Sequence, residues 1–364
     1  MKRILVLSVF PAPYRIAVFA GLAKYYDLTI FFERNTDEER TAEWFVKSGG
    51  TLKFHMLGDP VEKEAYDRLL KDIRQFDLVL CYDPWTKSSL RTEAVCIRRR
   101  VKYIINADGA LDISTKGLKA MIKRHFVRRA SLCFAGSGRA VEYFLSYGAK
   151  QEIIIRHRFT SLHRKDILLS PVSREEKSRM RMEKGLEDKL TFIAVGQFIE
   201  RKGFDLLLQA WSGDFDARLL LIGGGSKREE YQRYLDAHQI KNVRIMDFLP
   251  KERLFELYRI SDVFVMPTRE DIWGLVVNEA MANRLPVLSS DRCTAGLELI
   301  KNGENGFVYP VGDTDRLHEL IDYFITHSQE LPVYAQKAVE AVRDDTFEEI
   351  VHAHHRSICA LIGE

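Results

Sequence analysis

Residues Pro267–Leu288 read PTREDIWGLVVNEAMANRLPVL, and this stretch decides how the rest of the chain is interpreted. It follows the apolar run Val263–Met266, which is typical of a buried β-strand, and it continues into a predicted helix that carries Glu279. A second acid, Asp271, precedes Gly274, so a turn at this glycine can bring both carboxylates to one site. An ordinary strand–loop–helix with a solvated acidic loop is the alternative that the spacing leaves open.

Glycine-containing loops after predicted strands are further candidate ligand-binding features. Gly274 and its neighbours place backbone N–H groups at a helix start, where an anion is stabilised. Residues 196–203, GQFIERKG, place Arg201 and Lys202 near the next helix start, where cations and the helix dipole act together on a diphosphate. The run Gly223–Gly225 lets the backbone approach a ligand closely. Acids that bind hydroxyls beside amides that bind phosphate suit a nucleotide sugar, and solvated loops with exposed cations are the alternative.

Composition indicates a globular protein of two domains. The 364 residues are 46% hydrophobic and 29% charged, and this length is sufficient for two hydrophobic cores. Residues 1–170 carry 30 Lys and Arg against 19 Asp and Glu, whereas residues 171–364 carry 25 against 33. A basic first half and an acidic second half indicate that the halves meet different partners. Five scattered cysteines without a CxxC pair are typical of reduced thiols in a cytoplasmic protein.

Apolar strands alternate with helical segments along the chain. We predict strands at 4–10, 27–32, 51–56, 78–82, 101–106, 132–136 and 153–155, and, after a polar break, at 190–195, 218–223, 243–246, 263–266, 286–289 and 306–309. Such alternation predicts two doubly wound parallel sheets with helices on both faces. Ligands bind at the carboxyl ends of the strands in such sheets, so the site is expected in a cleft between the domains. The sequence contains neither a GxGxxG nor a GxxxxGK[ST] motif, which disfavours a dehydrogenase or a P-loop kinase.

Several motifs in a fixed order resemble the C-terminal domain of the family 4 retaining glycosyltransferases, or glycosyl transferases group 1. They are the Gly-x5-Lys-Gly of residues 196–203, the glycine run 223–225, the PTRED…NEAMA block 267–282, and the turns DFLP at 247–250 and NGENGF at 302–307. The resemblance covers residues 190–312. It implies a GT-B fold of two Rossmann-like domains facing an interdomain cleft. Residues 1–170 would bind the acceptor, residues 171–340 would bind the donor, and residues 341–364 would pack back on the first domain.

The resemblance implies how the donor would be held. The family's pair of acids falls on Asp271 and Glu279. Glu279 would hold the ribose, and Asp271, one methylene shorter than the family's usual Glu, would contact the donor sugar as a catalytic residue. Glu270 is a possible substitute for Asp271. The other donor-binding residues would be Trp273, Gly274, Leu275 and Val276 through their amides, together with Gly196, Gln197 and Gly224.

The mechanism implied by the resemblance is retaining transfer without a metal or other cofactor. Lys202 falls on the family's diphosphate-binding Lys, and Gln197 stands where the family has Arg, so Arg201 is the natural replacement. These two catalytic cations would stabilise the charge that builds on the departing diphosphate. The strings Asp214–Asp216 and Asp313–Asp315 match a metal-binding DxD pattern, but we expect the first in a remote turn and the second at a helix N-cap.

Two residues of the first half are candidate acceptor-binding residues. Arg15 ends PAPYR at 11–15, which resembles a PPYR-like loop of some family members, and Asp108 lies in NADG at 106–109, where a predicted strand ends. A surface Arg and a structural turn Asp are the alternative interpretations.

Residues 116–129, KGLKAMIKRHFVRR, predict a basic amphipathic helix. Six Lys and Arg can occupy one face, and the other can hold five apolar residues: Leu118, Met121, Ile122, Phe126 and Val127. Such a helix can lie on anionic lipid at the inner face of the membrane, or it can pack its apolar face into the core. Nucleic acid is a disfavoured partner because no aromatic-rich basic platform accompanies these charges.

The predicted function is transfer of a sugar, with retention, from a UDP-, GDP-, ADP- or dTDP-linked donor to a glycan or lipid-linked glycan. Bacterial surface polysaccharide synthesis, such as O-antigen, lipopolysaccharide or capsule, is the setting that the resemblance implies. Two alternatives stay open. One is a GT-B sugar-nucleotide epimerase or hydrolase, and the other is a non-catalytic scaffold that binds nucleotide sugar or glycan.

Overall fold

The chain folds into two compact units. The computed structural model describes residues 1–35, 52–109 and 113–363. Unit 1 comprises Met1–Ser161 and Asp345–Glu364, and unit 2 comprises Leu162–Asp344. Residue 51, the first residue of the third predicted strand, lies outside the described residues. Within the described ranges, every helix is too short or too polar to cross a bilayer.

Unit 1 is built on one parallel sheet. Its strands are β1 Arg3–Ser8, β2 Asp27–Phe32, β3 His55–Met56, β4 Leu78–Tyr82, β5 Tyr103–Ala107, β6 Leu132–Ala135 and β7 Ile154–Arg156. Their order in the sheet is β3-β2-β1-β4-β5-β6-β7, and the pairings are parallel. Alternate residues of β1 enter different cores, since Leu5 packs in one hydrophobic cluster and Ile4 in another. The sheet is therefore buried on both faces, as its continuous apolar strands indicate.

Helices cover both faces of this sheet. They are α1 Pro13–Leu22, α2 Pro60–Lys71, α3 Lys87–Arg99, α4 Gly117–Val127, α5 Gly138–Ser146 and, at the end of the chain, α14 Phe347–Ile362. Helices α2 to α5 contribute to one core cluster, and α1 and α14 contribute to the other. Gly21 of α1 permits the close approach of α14, because a Cβ at this position would lie 2.4 Å from a methyl group of Val351.

Unit 2 repeats the architecture with six parallel strands. They are β8 Leu190–Val195, β9 Ala217–Ile222, β10 Val243–Met246, β11 Val263–Met266, β12 Val287–Ser290 and β13 Gly306–Tyr309, in the order β10-β9-β8-β11-β12-β13. The helices are α6 Arg174–Glu183, α7 Phe204–Ala210, α8 Arg228–Ala237, α9 Lys251–Ile260, α10 Leu275–Ala282, α11 Thr294–Leu299, α12 Thr314–Thr326 and α13 Leu331–Val342. Side chains of α7, α8 and α12 fill the core on one face of this sheet.

Each sheet has one point at which the strand order changes direction. In unit 1 it lies between β1 and β4, and in unit 2 between β8 and β11. The loops that leave the carboxyl ends of such neighbouring strands turn to opposite faces of the sheet, and a crevice opens between them. The loops after β8 and β11, and those after β1 and β4, are therefore the places where a ligand site is expected.

Candidate functional site

An ion pair joins the loops that follow β8 and β11. Lys202 ends a short 3₁₀ turn, Glu200–Lys202, and Asp271 lies between β11 and α10. The Lys202 ammonium donates a hydrogen bond to the Asp271 carboxylate, with 2.5 Å between Nζ and Oδ2. The two side chains are only 15% and 16% exposed, so the pair is largely shielded from solvent. The structure thus brings together two of the three residues predicted to be catalytic.

Hydrogen bonds to backbone carbonyl oxygens hold these two loops against each other. The Thr268 hydroxyl lies 3.0 Å from the carbonyl oxygen of Arg201 and 2.9 Å from that of Glu270. The backbone N–H of Arg269 also donates to the Arg201 carbonyl at 2.8 Å. The Arg201 guanidinium donates to the Glu270 carbonyl oxygen at 3.0 Å, so this third predicted catalytic residue is oriented by the backbone of the facing loop. These hydrogen bonds between the two loops therefore fix the positions of Lys202 and Asp271.

Gly203 allows the contact between the two loops. Its φ of +68° lies in the left-handed region that favours glycine, and a Cβ there would lie 2.1 Å from the carbonyl oxygen of Pro267. Any other residue would add strain and push the loops apart. The glycine of the Gly-x5-Lys-Gly motif is thus explained by packing.

Helix α10 begins beside the ion pair. Gly274 precedes it with a φ of +95°, and a Cβ there would lie 2.5 Å from Cys293 Sγ. The backbone N–H of Trp273 lies 3.3 Å from Asp271 Oδ1, and the Cys293 thiol donates to the Trp273 carbonyl oxygen at 3.1 Å. Burial and the neighbouring Asp271 raise the pKa of Cys293 to about 12, so its thiol is a neutral donor and not a nucleophile.

The remaining predicted donor-binding residues lie in or next to the same loops. Leu275 and Val276 open α10, where helix amides stabilise an anion. Glu279 is half-buried further along α10, and burial, together with this carboxylate, raises the pKa of Tyr258. The side chain of Glu270 is exposed, and its carbonyl oxygen accepts the hydrogen bond from Arg201. Two neighbouring loops, after β8 and β9, hold the rest of the set: Gly196, Gln197 and Gly224.

The two DxD strings lie outside the loops that follow β8 and β11. Asp313 accepts a hydrogen bond from the backbone N–H of Arg316 at 2.9 Å and caps α12, as the sequence pattern indicated. Asp216 is 84% exposed and pairs with Lys189 at 3.1 Å. In the part of the chain that the structure describes, no group of three or more His, Cys, Asp or Glu is arranged to hold a metal ion.

A second cluster lies at the switch point of unit 1. Arg15, in the first turn of α1, is 3% exposed, and its guanidinium lies 3.0 Å from Asp83 Oδ1 and 2.5 Å from Asp108 Oδ2. Asp83 also accepts from the Ser8 hydroxyl at 2.8 Å, and the Asn106 amide donates to Asp108 at 2.9 Å. Arg15 is therefore engaged with two carboxylates, whose side chains keep 36% and 14% of their surface exposed.

Electrostatics distinguish the two carboxylates of the unit 1 cluster. Burial alone would lower the pKa of Arg15, but Asp108 and Asp83 outweigh it, so the pKa is raised and the guanidinium stays charged. Although burial favours protonation, Arg15 holds the pKa of Asp83 below its ordinary value. Burial raises the pKa of Asp108 despite Arg15. Asp83 is thus the carboxylate that stays ionised, and Asp108 is the one that protonates more readily as the pH falls.

Asp83 is the residue of this cluster that the sequence interpretation missed. The available signal was the segment YDPWT at 82–86, which follows a predicted strand just as NADG follows the next one. Asp83 has a φ of +57° and Trp85 a φ of +87°. Such angles are uncommon outside glycine, and strained backbone of this kind concentrates at ligand sites.

The fold is that of the GT-B glycosyltransferases, which confirms the predicted fold class. The structure of Anabaena Alr3699/HepE in complex with UDP matches with a TM-score of 0.76 and 17% identity, over 99% of this chain and 99% of that chain. The same protein in complex with UDP-glucose matches with a TM-score of 0.72 and 16% identity, again over 99% of both chains.

Residues 176–341, slightly under half of the chain, match the family described as Glycosyl transferases group 1. Sulfoquinovosyl transferase SQD2 from Arabidopsis thaliana is 30% identical over 149 residues, which is 40% of this chain and 28% of the relative. The capsular polysaccharide biosynthesis glycosyltransferase CapM from Staphylococcus aureus is 30% identical over 146 residues, 38% of each chain. The chain spans less than half the length of each of these curated relatives.

Proposed function

We propose that the protein is a retaining family 4 glycosyltransferase that uses a nucleotide-sugar donor and needs no metal. The observation that carries this proposal is the Lys202–Asp271 ion pair at the switch point of unit 2, inside the segment that matches the group 1 family. HepE, a protein of the same fold, was crystallised with UDP and with UDP-glucose, which supports a nucleotide sugar as the donor.

The two residues of the ion pair can bind different parts of such a donor, with Lys202 on the diphosphate and Asp271 on the sugar. A diphosphate carries more negative charge than one carboxylate, so it competes with Asp271 for Lys202. The released Asp271 carboxylate then accepts a hydrogen bond from a sugar hydroxyl. Arg201 and the first amides of α10 lie beside the same loops and add to the positive potential around the diphosphate.

The reaction then proceeds by positioning and charge stabilisation. The bond between the anomeric carbon and the diphosphate oxygen breaks, and a bond from the acceptor oxygen to the same carbon forms on the same face. The acceptor proton moves to the departing diphosphate oxygen, so atoms and charge balance without an enzymic base. Each preorganised contact to the developing negative charge contributes about 3–4 kcal/mol to lowering the barrier. Lys202 is the principal contact of this kind.

Unit 1 is proposed to bind the acceptor through Asp83 and Asp108. Both carboxylates are partly exposed and can accept hydrogen bonds from acceptor hydroxyls, while the buried Arg15 holds them in position. Asp83→Asn is expected to raise the KM for the acceptor about tenfold or more, with little change in donor binding. An unchanged acceptor KM in a folded Asp83→Asn variant would contradict this role. The similarity to a capsular polysaccharide enzyme favours a surface glycan as acceptor.

The direct test measures nucleoside diphosphate release from a panel of UDP-, GDP-, ADP- and dTDP-sugars, with and without glycan or lipid-linked glycan acceptors. We expect release with one donor class that depends on an acceptor, and a product that keeps the donor's anomeric configuration by NMR. Release or interconversion without an acceptor would favour a hydrolase or epimerase, and donor binding without any release would favour a scaffold. EDTA should leave the rate unchanged, and a loss restored by Mn²⁺ would contradict metal independence.

A further inference from the structure

Helix α4 turns apolar side chains towards solvent. Leu118, Met121 and Ile122 are 71%, 63% and 37% exposed, whereas Ala120 and Val127 are buried in the core of unit 1. Ala120 and Val127 lie two turns apart on one side of the helix, and Leu118 and Ile122 lie on the opposite side. The prediction that all five apolar residues share one face is therefore wrong. Small and C-terminal apolar residues anchor the helix, and the larger ones near its start face outward.

The charged residues in and around this helix are all basic. Residues 113–129 contain no Asp or Glu and six Lys or Arg. Among the described residues, none of these six cations lies within ion-pair distance of a carboxylate. Lys123 is held by the protein, because its ammonium lies 5.0 to 5.5 Å from the ring centres of Tyr143, Tyr147 and Trp85. Four of the other cations are exposed around the apolar residues: Lys116, Lys119, Arg128 and Arg129.

We propose that α4 docks the protein on an anionic phospholipid bilayer surface. Leu118, Met121 and Ile122 would enter the boundary between headgroups and acyl chains, and the exposed cations would contact the lipid phosphates. Charge complementarity selects this occupant, since unit 1 carries 29 Lys and Arg against 22 Asp and Glu, whereas unit 2 carries 26 against 30. Each cation near an anionic surface strengthens binding about fivefold. This proposal concerns lipid binding alone and stands independently of the catalytic assignment.

The experiment is co-sedimentation of the full chain with vesicles of phosphatidylcholine alone or with added phosphatidylglycerol. The test variant replaces Leu118, Met121 and Ile122 with serine. A matched control variant replaces three apolar residues of unit 2 with serine, namely Leu169, Met182 and Val333, which are 75%, 63% and 64% exposed. Because both sets are exposed, both variants should fold like the wild type, which thermal unfolding would verify.

We expect the wild type to bind the anionic vesicles, and high salt or Lys119→Glu combined with Arg129→Glu to weaken that binding about tenfold or more. The α4 serine variant should bind at least about tenfold more weakly than the unit 2 control. Equal binding by the two serine variants, equal binding to neutral vesicles, or no binding by the wild type would each overturn the proposal. So would a wild-type dimer that the α4 serine variant converts to a monomer, because a second copy would then cover this face.

Discussion

Replacing Lys202 with alanine separates a catalytic role of the ion pair from a structural one. The change leaves Asp271, 16% exposed, without its cation. Such a partly shielded pair lies between surface pairs and fully buried ones, so the free energy of unfolding should fall by about 1–3 kcal/mol. If Lys202 also stabilises the departing diphosphate, losing that contact should cost about 3–4 kcal/mol in the barrier, or roughly 10²–10³-fold in kcat.

Lys189 provides the matched control for this experiment. It stands immediately before β8, at the opposite end of the strand from Lys202, and pairs with the exposed Asp216. Lys189→Ala should leave both turnover and unfolding nearly unchanged. The assay combines acceptor-dependent nucleoside diphosphate release with urea unfolding under the same conditions. A folded Lys202→Ala variant with the turnover of the Lys189→Ala control would refute the catalytic assignment.

Two further predictions test the core of unit 1 and the loop contact of unit 2. Burial raises the pKa of Glu93 to about 8, from an ordinary value of 4.5. Between these two pH values the unfolded state releases the proton and the folded state keeps it. The free energy of unfolding therefore falls by up to about 5 kcal/mol as the pH rises through this range. Glu93→Gln should remove this slope and be the more stable protein at pH 8 in urea titrations, and an unaltered pH dependence would contradict the burial argument. Gly203→Ala should weaken donor binding about tenfold, whereas Gly213→Ala, with contacts no closer than 3.8 Å, should not, and equal calorimetric affinities would exclude the steric explanation.

Strand positions were predictable from sequence because they depend on local patterns. All thirteen predicted strands are present, and β2, β4, β8, β10, β11 and β13 have the predicted bounds. Each of these strands is followed by a glycine, proline or acid, and β4 and β11 are continuous apolar runs, which is the pattern of a strand buried on both faces. The carboxyl ends of these strands also indicated where ligand-binding loops begin.

The contacts between loops were not predictable, because they depend on which strands are neighbours. Lys202 and Asp271 were both expected in the donor site, but their direct pairing follows from β8 lying beside β11. Asp83 was missed because one acid after a strand resembles any turn residue until Arg15 is placed next to it. The amphipathic pattern of α4 could not show which side meets the core, since apolar residues lie on both sides of that helix.

The domain boundaries are a similar case. The sequence analysis places the division between the domains at residues 170/171, whereas the compact units of the structure divide between Ser161 and Leu162. The last segment, Asp345–Glu364, belongs to unit 1. A polar segment between strands marks a change of unit only approximately, because residues that precede the polar helix α6 already bond to unit 2. The backbone N–H of Leu168 donates to the Ala282 carbonyl oxygen at 2.9 Å, and Lys251 pairs with Asp166 at 2.8 Å. The acceptor and donor roles of the two domains stay predictions.

The central claim is that unit 2 holds a nucleotide sugar at its switch point, and ligand-induced stabilisation tests it most directly. Purified wild type and Glu279→Ala would be unfolded thermally with UDP-glucose, GDP-mannose, ADP-glucose and dTDP-glucose. A ligand at about 100 times its Kd adds roughly 2.7 kcal/mol to the free energy of unfolding, which raises Tm measurably. The account predicts a higher Tm with one nucleotide class in the wild type and a much smaller effect in Glu279→Ala. The absence of stabilisation by every nucleotide sugar would contradict it.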